Sequence, residues 1–152
     1  MRNDYQKTIR VHASADEVFD AVTTASGLSA WWTEAAGGGD TGGELLFTMS
    51  APDPLRVHVD RATRPASVRW TVTECTFEPE WVGTHPTFTI TAVDDVSSDV
   101  EFRHVGLTDE LECIDMCTRG WDHYLASLRA YVETGVGHPR GSDADLARRA
   151  SA

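Results

Sequence analysis

From Leu45 to Val105 the apolar residues return at every second position, in one short run after another. Leu45, Phe47 and Met49 share a face in GELLFTM, and after the Pro52-Asp53-Pro54 turn Leu55, Val57 and Val59 share one in LRVHVDRA. Val68, Trp70 and Val72 follow in ASVRWTVTE, then Phe88, Ile90 and Ala92 in TFTITAV, then Val100, Phe102 and His104 in SSDVEFRHVG. A period of two sends successive side chains to opposite faces of an extended strand. The second face therefore carries Arg56, His58 and Asp60, then Thr87, Thr89 and Thr91, then Glu101, Arg103 and Val105. Turn signals between the runs are spaced for an antiparallel meander with one wet face and one dry one. The dry face must be covered by another element.

The cover is near the end of the chain. In LECIDMCTRGWDHYLASLRAYVETG, Ile114, Cys117, Trp121, Tyr124, Leu125, Leu128, Tyr131 and Val132 recur at steps of three and four, which predicts one long amphipathic helix over about 112–134. Before the meander, DYQKTIRVHA alternates as a first strand, with Tyr5, Lys7, Ile9 and Val11 on one face. SADEVFDAVTT then opens a helix, with Ser14 and Glu17 spaced as a capping box. Gly27 is read as its end, LSAWWT as a second short helix, and the glycines of 37–43 as the turn back into the sheet. The expected fold class is α+β: a curved antiparallel sheet of six to seven strands wrapped on a long C-terminal helix, with two short helices after strand one. One domain over 1–135 is expected, followed by a flexible polar tail over 136–152 with at most one transient turn near Asp143.

Trp31 and Trp32 are adjacent, and adjacent residues on a helix point about 100° apart, so at most one can face a core built by that helix alone. The other needs a second surface or a cavity. A twisted sheet curled on one helix leaves a gap that such a ring can plug. Ligand access is expected beside the glycines, near Trp31–Gly43.

Thirteen basic against 24 acidic residues give a net charge of −11, and Lys7 is the only lysine. That field repels phosphate backbones, so nucleic acid is excluded as a partner. No apolar run reaches membrane-spanning length, and MRNDYQKT does not read as a signal peptide, so a cytoplasmic protein without membrane insertion is expected. Cys75, Cys113 and Cys117 are an odd count without framework spacing and are expected as thiols. Cys113 and Cys117 lie four apart but have no second ligand pair, so no metal and no cofactor is expected. His104 is the polar residue that its strand aims inward. It reads as a hydrogen-bonded core histidine, as a pocket group that orients a ligand, or as an acid–base catalyst. His58, between Arg56 and Asp60, reads as part of a surface charge cluster.

Four stretches together are similar to a known family: IRVHASADEVFDAVTTASGLSAWW, the GGELLF strand start, WVGTHPTFTI, and VEFRHVGL followed by CTRGWDHYLASL. Over roughly residues 5–133 the chain resembles the START-like (SRPBCC) superfamily with the helix-grip fold, in the branch named after the activator of the heat-shock ATPase. The resemblance implies a cavity between sheet and C-terminal helix for lipids, polyketides or other apolar molecules. It brings no shared catalytic motif. The chaperone-activating role belongs to longer proteins with an additional domain, which this chain is expected to lack. On this basis Trp32, Phe47, Met49, Trp70, Phe88, Phe102, His104, Trp121 and Leu125 are the candidate ligand-binding residues. Binding or carriage of a small hydrophobic ligand leads. A cyclase or dehydratase acting on a polyketide-like substrate, and a stress-related or chaperone-interacting module, are the alternatives, and a homodimer is left open. The His85-Pro86 step departs from an ideal strand, since proline cannot donate to a ladder, and predicts a bulge or edge there.

Overall fold

A computed structural model describes residues 4–48, 55–76 and 78–150. The elements run β1 (Asp4–Val11), α1 (Ala15–Thr23), α2 (Ala25–Trp31), β2 (Ala35–Gly37), β3 (Glu44–Phe47), β4 (Leu55–Thr63), β5 (Ser67–Glu74), a 3-10 turn (Pro79–Trp81), β6 (His85–Asp94), β7 (Ser97–Thr108), α3 (Ile114–Thr134) and α4 (Asp143–Ala150). Seven antiparallel strands form one sheet in the order β1-β7-β6-β5-β4-β3-β2, so the first strand closes against the last. Met49 and the Pro52-Asp53-Pro54 turn lie outside the described residues.

The alternation sets the register. Lys7 pairs with Phe102 and Ile9 with Val100, Phe88 with Phe102 and Ile90 with Val100, Val68 with Phe88, Val59 with Trp70, and Leu45 with Val57. The apolar rows of neighbouring strands thus meet on one face, where α3 lays Trp121, Leu125 and Leu128 against them. A one-residue slip would turn each row to water, which is why the register is well specified. At Gly106, φ is +95° and β7 bulges between its pairings with Asp4 and Tyr5. The bulge shifts the phase by one, so that Leu107 is buried after Phe102 and His104.

The Pro86 expectation resolves in detail. Ile90 donates its N–H to the Ala66 carbonyl on the β5 side, so the even positions of β6 point their N–H groups toward β5. Paired residues between β5 and β6 stop at Arg69 and Thr87, where Pro86 has no proton to give. The Trp70 carbonyl is met by His85 Nδ1 at 3.3 Å instead, and the connection resumes where Val72 donates to the Thr84 carbonyl.

Three readings of the sequence differ from the structure. Helix α1 ends at Thr24, whose hydroxyl accepts from the Gly27 N–H and caps α2; Gly27 lies inside α2, at a close helix–helix approach where a Cβ would come within 2.9 Å of the Ala21 backbone. The glycine-rich turn contains an edge strand, β2, paired to β3. And the expected loose tail holds the helix α4, anchored by the fully buried Asp145. The Ser14–Glu17 capping box is present in both directions.

Candidate functional site

Two environments meet along α3. The first is the space between sheet and helix, where the resemblance implies a cavity. Here it is filled by rings. Trp32 lies 4.5 Å from Phe47, 5.0 Å from Trp121 and 6.0 Å from Trp70, nearly parallel to the last, while Phe102 lies 4.3 Å from Trp121 and 4.9 Å from Phe88, all centroid to centroid. Both tryptophans of the adjacent pair are buried: Trp31 stays on α2 and donates its indole N–H to the Ala21 carbonyl, whereas Trp32 leaves helical geometry at the cap and turns into the ring cluster.

His104 sits at the end of this cluster, with no exposed surface. Its Nδ1 accepts from Trp121 Nε1 at 3.0 Å, and its Nε2 lies 2.7 Å from Thr84 Oγ1. The Thr84 hydroxyl gives its own proton to the Trp81 carbonyl, so Nε2–H is the donor of the pair and the imidazole is the neutral Nε2–H tautomer. Burial lowers its pKa to about 3, since the charged form would lose its hydration. Both nitrogens are taken by protein partners. His104 is a satisfied core histidine, and it has neither a donor nor an acceptor left to orient a ligand.

The second environment is a pocket of about 280 Å³ on the flank of α3. Trp32, Trp81, Trp121 and Tyr124 supply its aromatic wall, Met116, Cys117, Arg119 and Gly120 its helical edge, and Arg140, Arg148 and Arg149 the side formed by α4 and the segment before it. Met116, Gly120 and Tyr124 follow one another at the four-residue spacing of a single helix face. Trp81 is fixed by stacking on Trp121 at 6.1 Å and by its indole N–H reaching Cys117 Sγ at 3.3 Å. Helix α4 is held by Asp145, which accepts from Tyr124 Oη (2.8 Å), the Gly141 N–H (3.0 Å), Arg148 (2.9 Å) and Arg149 (3.2 Å). Burial by itself would raise the Asp145 pKa, but the Gly141 N–H, the two guanidinium groups and Tyr124 outweigh it and hold the carboxyl at about 2. Tyr124, buried and facing that carboxylate, is pushed up to about 12. A salt-bridged carboxylate in this setting stays charged at neutral pH.

Of the residues expected to bind ligand, Trp32 and Trp121 line the pocket. Phe47, Trp70, Phe88, Phe102, His104 and Leu125 are enclosed in the core instead, because the rings close the space the curvature would otherwise leave. Met49 lies outside the described residues. Within Trp31–Gly43, where access is expected, Trp32 reaches this pocket, and the glycines are tied by N–H bonds from Gly38 to the Glu44 carbonyl and from Gly42 to the Val59 carbonyl. Gly37, Gly38 and Gly39 instead border a separate hollow with Phe19, Thr23 and Arg64. Sequence reasoning missed Trp81 and the arginines. The available signal for the arginines was a run of basic residues, Arg140, Arg148 and Arg149, in a part of the chain read as tail.

The cysteines are free and buried. Burial pushes the Cys75 thiol up to about 11 and raises Cys113 and Cys117 as well. Glu78, Glu80 and Cys113 bring one ligand atom each within 4.8 Å of one another, the only such group of three or more among the described residues. A raised thiol pKa works against the thiolate that a metal would need there.

Residues 12–133 match the family described as activator of Hsp90 ATPase homolog 1-like protein. A search of curated proteins by sequence finds no match. Among solved structures, an Aha1 dimer from Colwellia psychrerythraea superposes with a TM-score of 0.76 at 25% identity, over 89% of this chain and 99% of that one. CalU16 from Micromonospora echinospora gives 0.71 at 17% identity, over 99% and 88%. An HSP90 activator from Plasmodium falciparum gives 0.69 at 16% identity, over 88% and 96%. These likenesses carry the helix-grip fold. Since the family match runs from His12, just past β1, to Glu133 in the last turn of α3, the chain belongs to the activator of Hsp90 ATPase homolog 1-like family.

Proposed function

We propose that the protein binds a small apolar molecule in the pocket between α3, the Pro79–Trp81 turn and α4. One observation carries this reading. Gly120 sits in the second turn of a 21-residue helix, inside it, where glycine costs roughly 0.5–1 kcal/mol relative to alanine. Beyond the helix's own backbone and its chain neighbours, a Cβ at that position would meet no atom of the described residues within 4 Å, so close packing does not call for glycine. What glycine preserves is open space against the ring wall of Trp81, Trp121 and Tyr124. At about 280 Å³ the pocket lies just below the roughly 300–1,000 Å³ range of small-molecule sites, which suits a ligand of one or two rings.

The test uses 2-naphthamide, a neutral two-ring probe, followed by quenching of the pocket tryptophans. Saturable binding is expected, and Gly120→Leu, which puts a branched side chain into the pocket, is expected to weaken it about tenfold or more while circular dichroism stays unchanged. Equal binding by the leucine variant would place the ligand elsewhere and defeat the proposal.

The family and its neighbours support a general ligand-binding or regulatory role. The Colwellia protein is a dimer; for this chain a homodimer is a further reading, which sedimentation at varied concentration checks. No helix among the described residues is long and apolar enough to cross a membrane.

A further inference from the structure

Of the thirteen basic residues in the chain, Arg119, Arg140, Arg148 and Arg149 line this one pocket, and among the described residues no aspartate or glutamate does. In a chain of net charge −11 that concentration runs against the overall field. Elsewhere six of the seven described arginines have carboxylate partners: Arg10 with Asp99, Arg56 with Glu44, Arg64 with Asp16 and Asp20, Arg69 with Asp60, Arg103 with Asp4, and Arg129 with Glu133, while Arg61 donates to the Ser67 hydroxyl. At the pocket, Arg148 and Arg149 share the single carboxylate of Asp145, and a buried Nε of Arg148 has no hydrogen-bond partner among the described residues. The side chains of Arg119 and Arg140 have no ion-pair partner among the described residues. An aromatic wall with surplus guanidinium groups beside it lacks one component, a negative charge attached to an apolar body. Guanidinium forks suit a carboxylate in geometry as well as in charge.

We infer that the ligand of this pocket is an apolar carboxylate, a small aromatic or alkyl acid whose body lies along Trp81, Trp121 and Tyr124 over Gly120 and whose carboxylate is met by Arg119 and Arg140. The inference rests on the binding reading above and adds the charge of the ligand to it. The protein's net charge would by itself favour a neutral ligand over an anionic one, so a preference for the acid has to come from the pocket.

The experiment compares 2-naphthoate with its near-isostere 2-naphthamide by calorimetry at pH 7, at low and at high salt. The naphthoate is expected to bind about tenfold tighter or more at low salt, with the margin shrinking as salt is added. In the double variant Arg119→Gln/Arg140→Gln the naphthoate is expected to lose more affinity than the naphthamide, so that the margin falls below about twofold, while an unchanged circular dichroism spectrum reports an intact fold. Equal binding of acid and amide by the unaltered protein, or a preference that survives the double substitution, overturns the inference and leaves apolar binding standing. If neither compound binds, the binding reading falls and the inference with it.

Discussion

The two sides of α3 make opposite use of similar residues. On the sheet side, Trp121 gives its indole N–H to His104, His104 gives its proton to Thr84, Thr84 gives its own to the Trp81 carbonyl, and rings fill the space around them. On the flank, the same Trp121 and Trp81 present faces to an open pocket, Gly120 withholds a side chain, and guanidinium groups outnumber carboxylates. A polar group whose partners are all inside the protein specifies the fold. One left without partners beside an empty volume marks a place for something else. The aromatic content of a region therefore does not separate core from site, and neither does an orphaned polar atom alone, since Trp70 Nε1 in the core and Arg148 Nε at the pocket both lack a partner among the described residues; the open volume beside such a group does.

The largest effect expected from this contrast comes from removing a ring on the closed side. Phe102 contacts Tyr5, Phe88, His104 and Trp121 and is fully buried, so Phe102→Ala should lower the unfolding free energy by about 3–5 kcal/mol in a denaturant titration. Met116, which edges the pocket and is 57% exposed, should lose no more than about 0.5 kcal/mol on the same change. Comparable losses at both positions would erase the distinction between the two sides.

The second expectation uses pH. Folded His104 has a pKa of about 3, against an ordinary value of 6.5 in the unfolded chain. Above pH 6.5 neither state binds the proton, and the neutral imidazole costs nothing. As pH falls below 6.5, the unfolded chain takes up a proton that the folded one refuses, so stability drops until about pH 3, where both states hold it. From pH 7.5 to 5 this group alone should remove about 2 kcal/mol. His104→Gln should flatten the slope over that interval, whatever it does to stability at neutral pH. A variant with the original slope would mean that His104 is not the buried neutral group its partners imply.

How much of this could be read in the chain follows from the range of each signal. The sheet was legible because alternation is local: Val100, Phe102 and His104 declare one face within five residues, and the register follows from it. Helix α3 was legible for the same reason, through its 3- and 4-residue steps. Strand β2 was not, since Ala35–Gly37 is too short for any period and is held by its pairing to β3. Helix α4 has its own polar sequence, but its docking hangs on the contact of Asp145 with Tyr124, 21 positions away. The pocket was illegible on larger grounds, as its wall converges from Trp32, Trp81, the middle of α3 and the segment after Gly135. His104 shows the division within a single residue: the strand pattern placed it indoors, but its partners Thr84 and Trp121 come from other elements, and they decide that it is structural.

The smallest expected effect is also the one that separates the two sides most cleanly. In a core, a substitution that adds a methyl group to a filled space destabilises through overpacking, and a glycine there is kept by its neighbours. At Gly120 no described neighbour beyond the helix's own backbone lies within 4 Å of the added carbon, and the backbone is ordinary helix, so Gly120→Ala should gain the helix propensity difference, about 0.5–1 kcal/mol, and raise the melting temperature by a few degrees. The same methyl takes up part of the open space in which the ligand is proposed to lie, so binding of 2-naphthamide should weaken at the same time. Stability and binding then move in opposite directions, as expected where a residue serves a site at some cost to the fold. A Gly120→Ala protein that is both more stable and an equal binder would show that the glycine does not serve the pocket, and a less stable one that the flank of α3 is packed like the core.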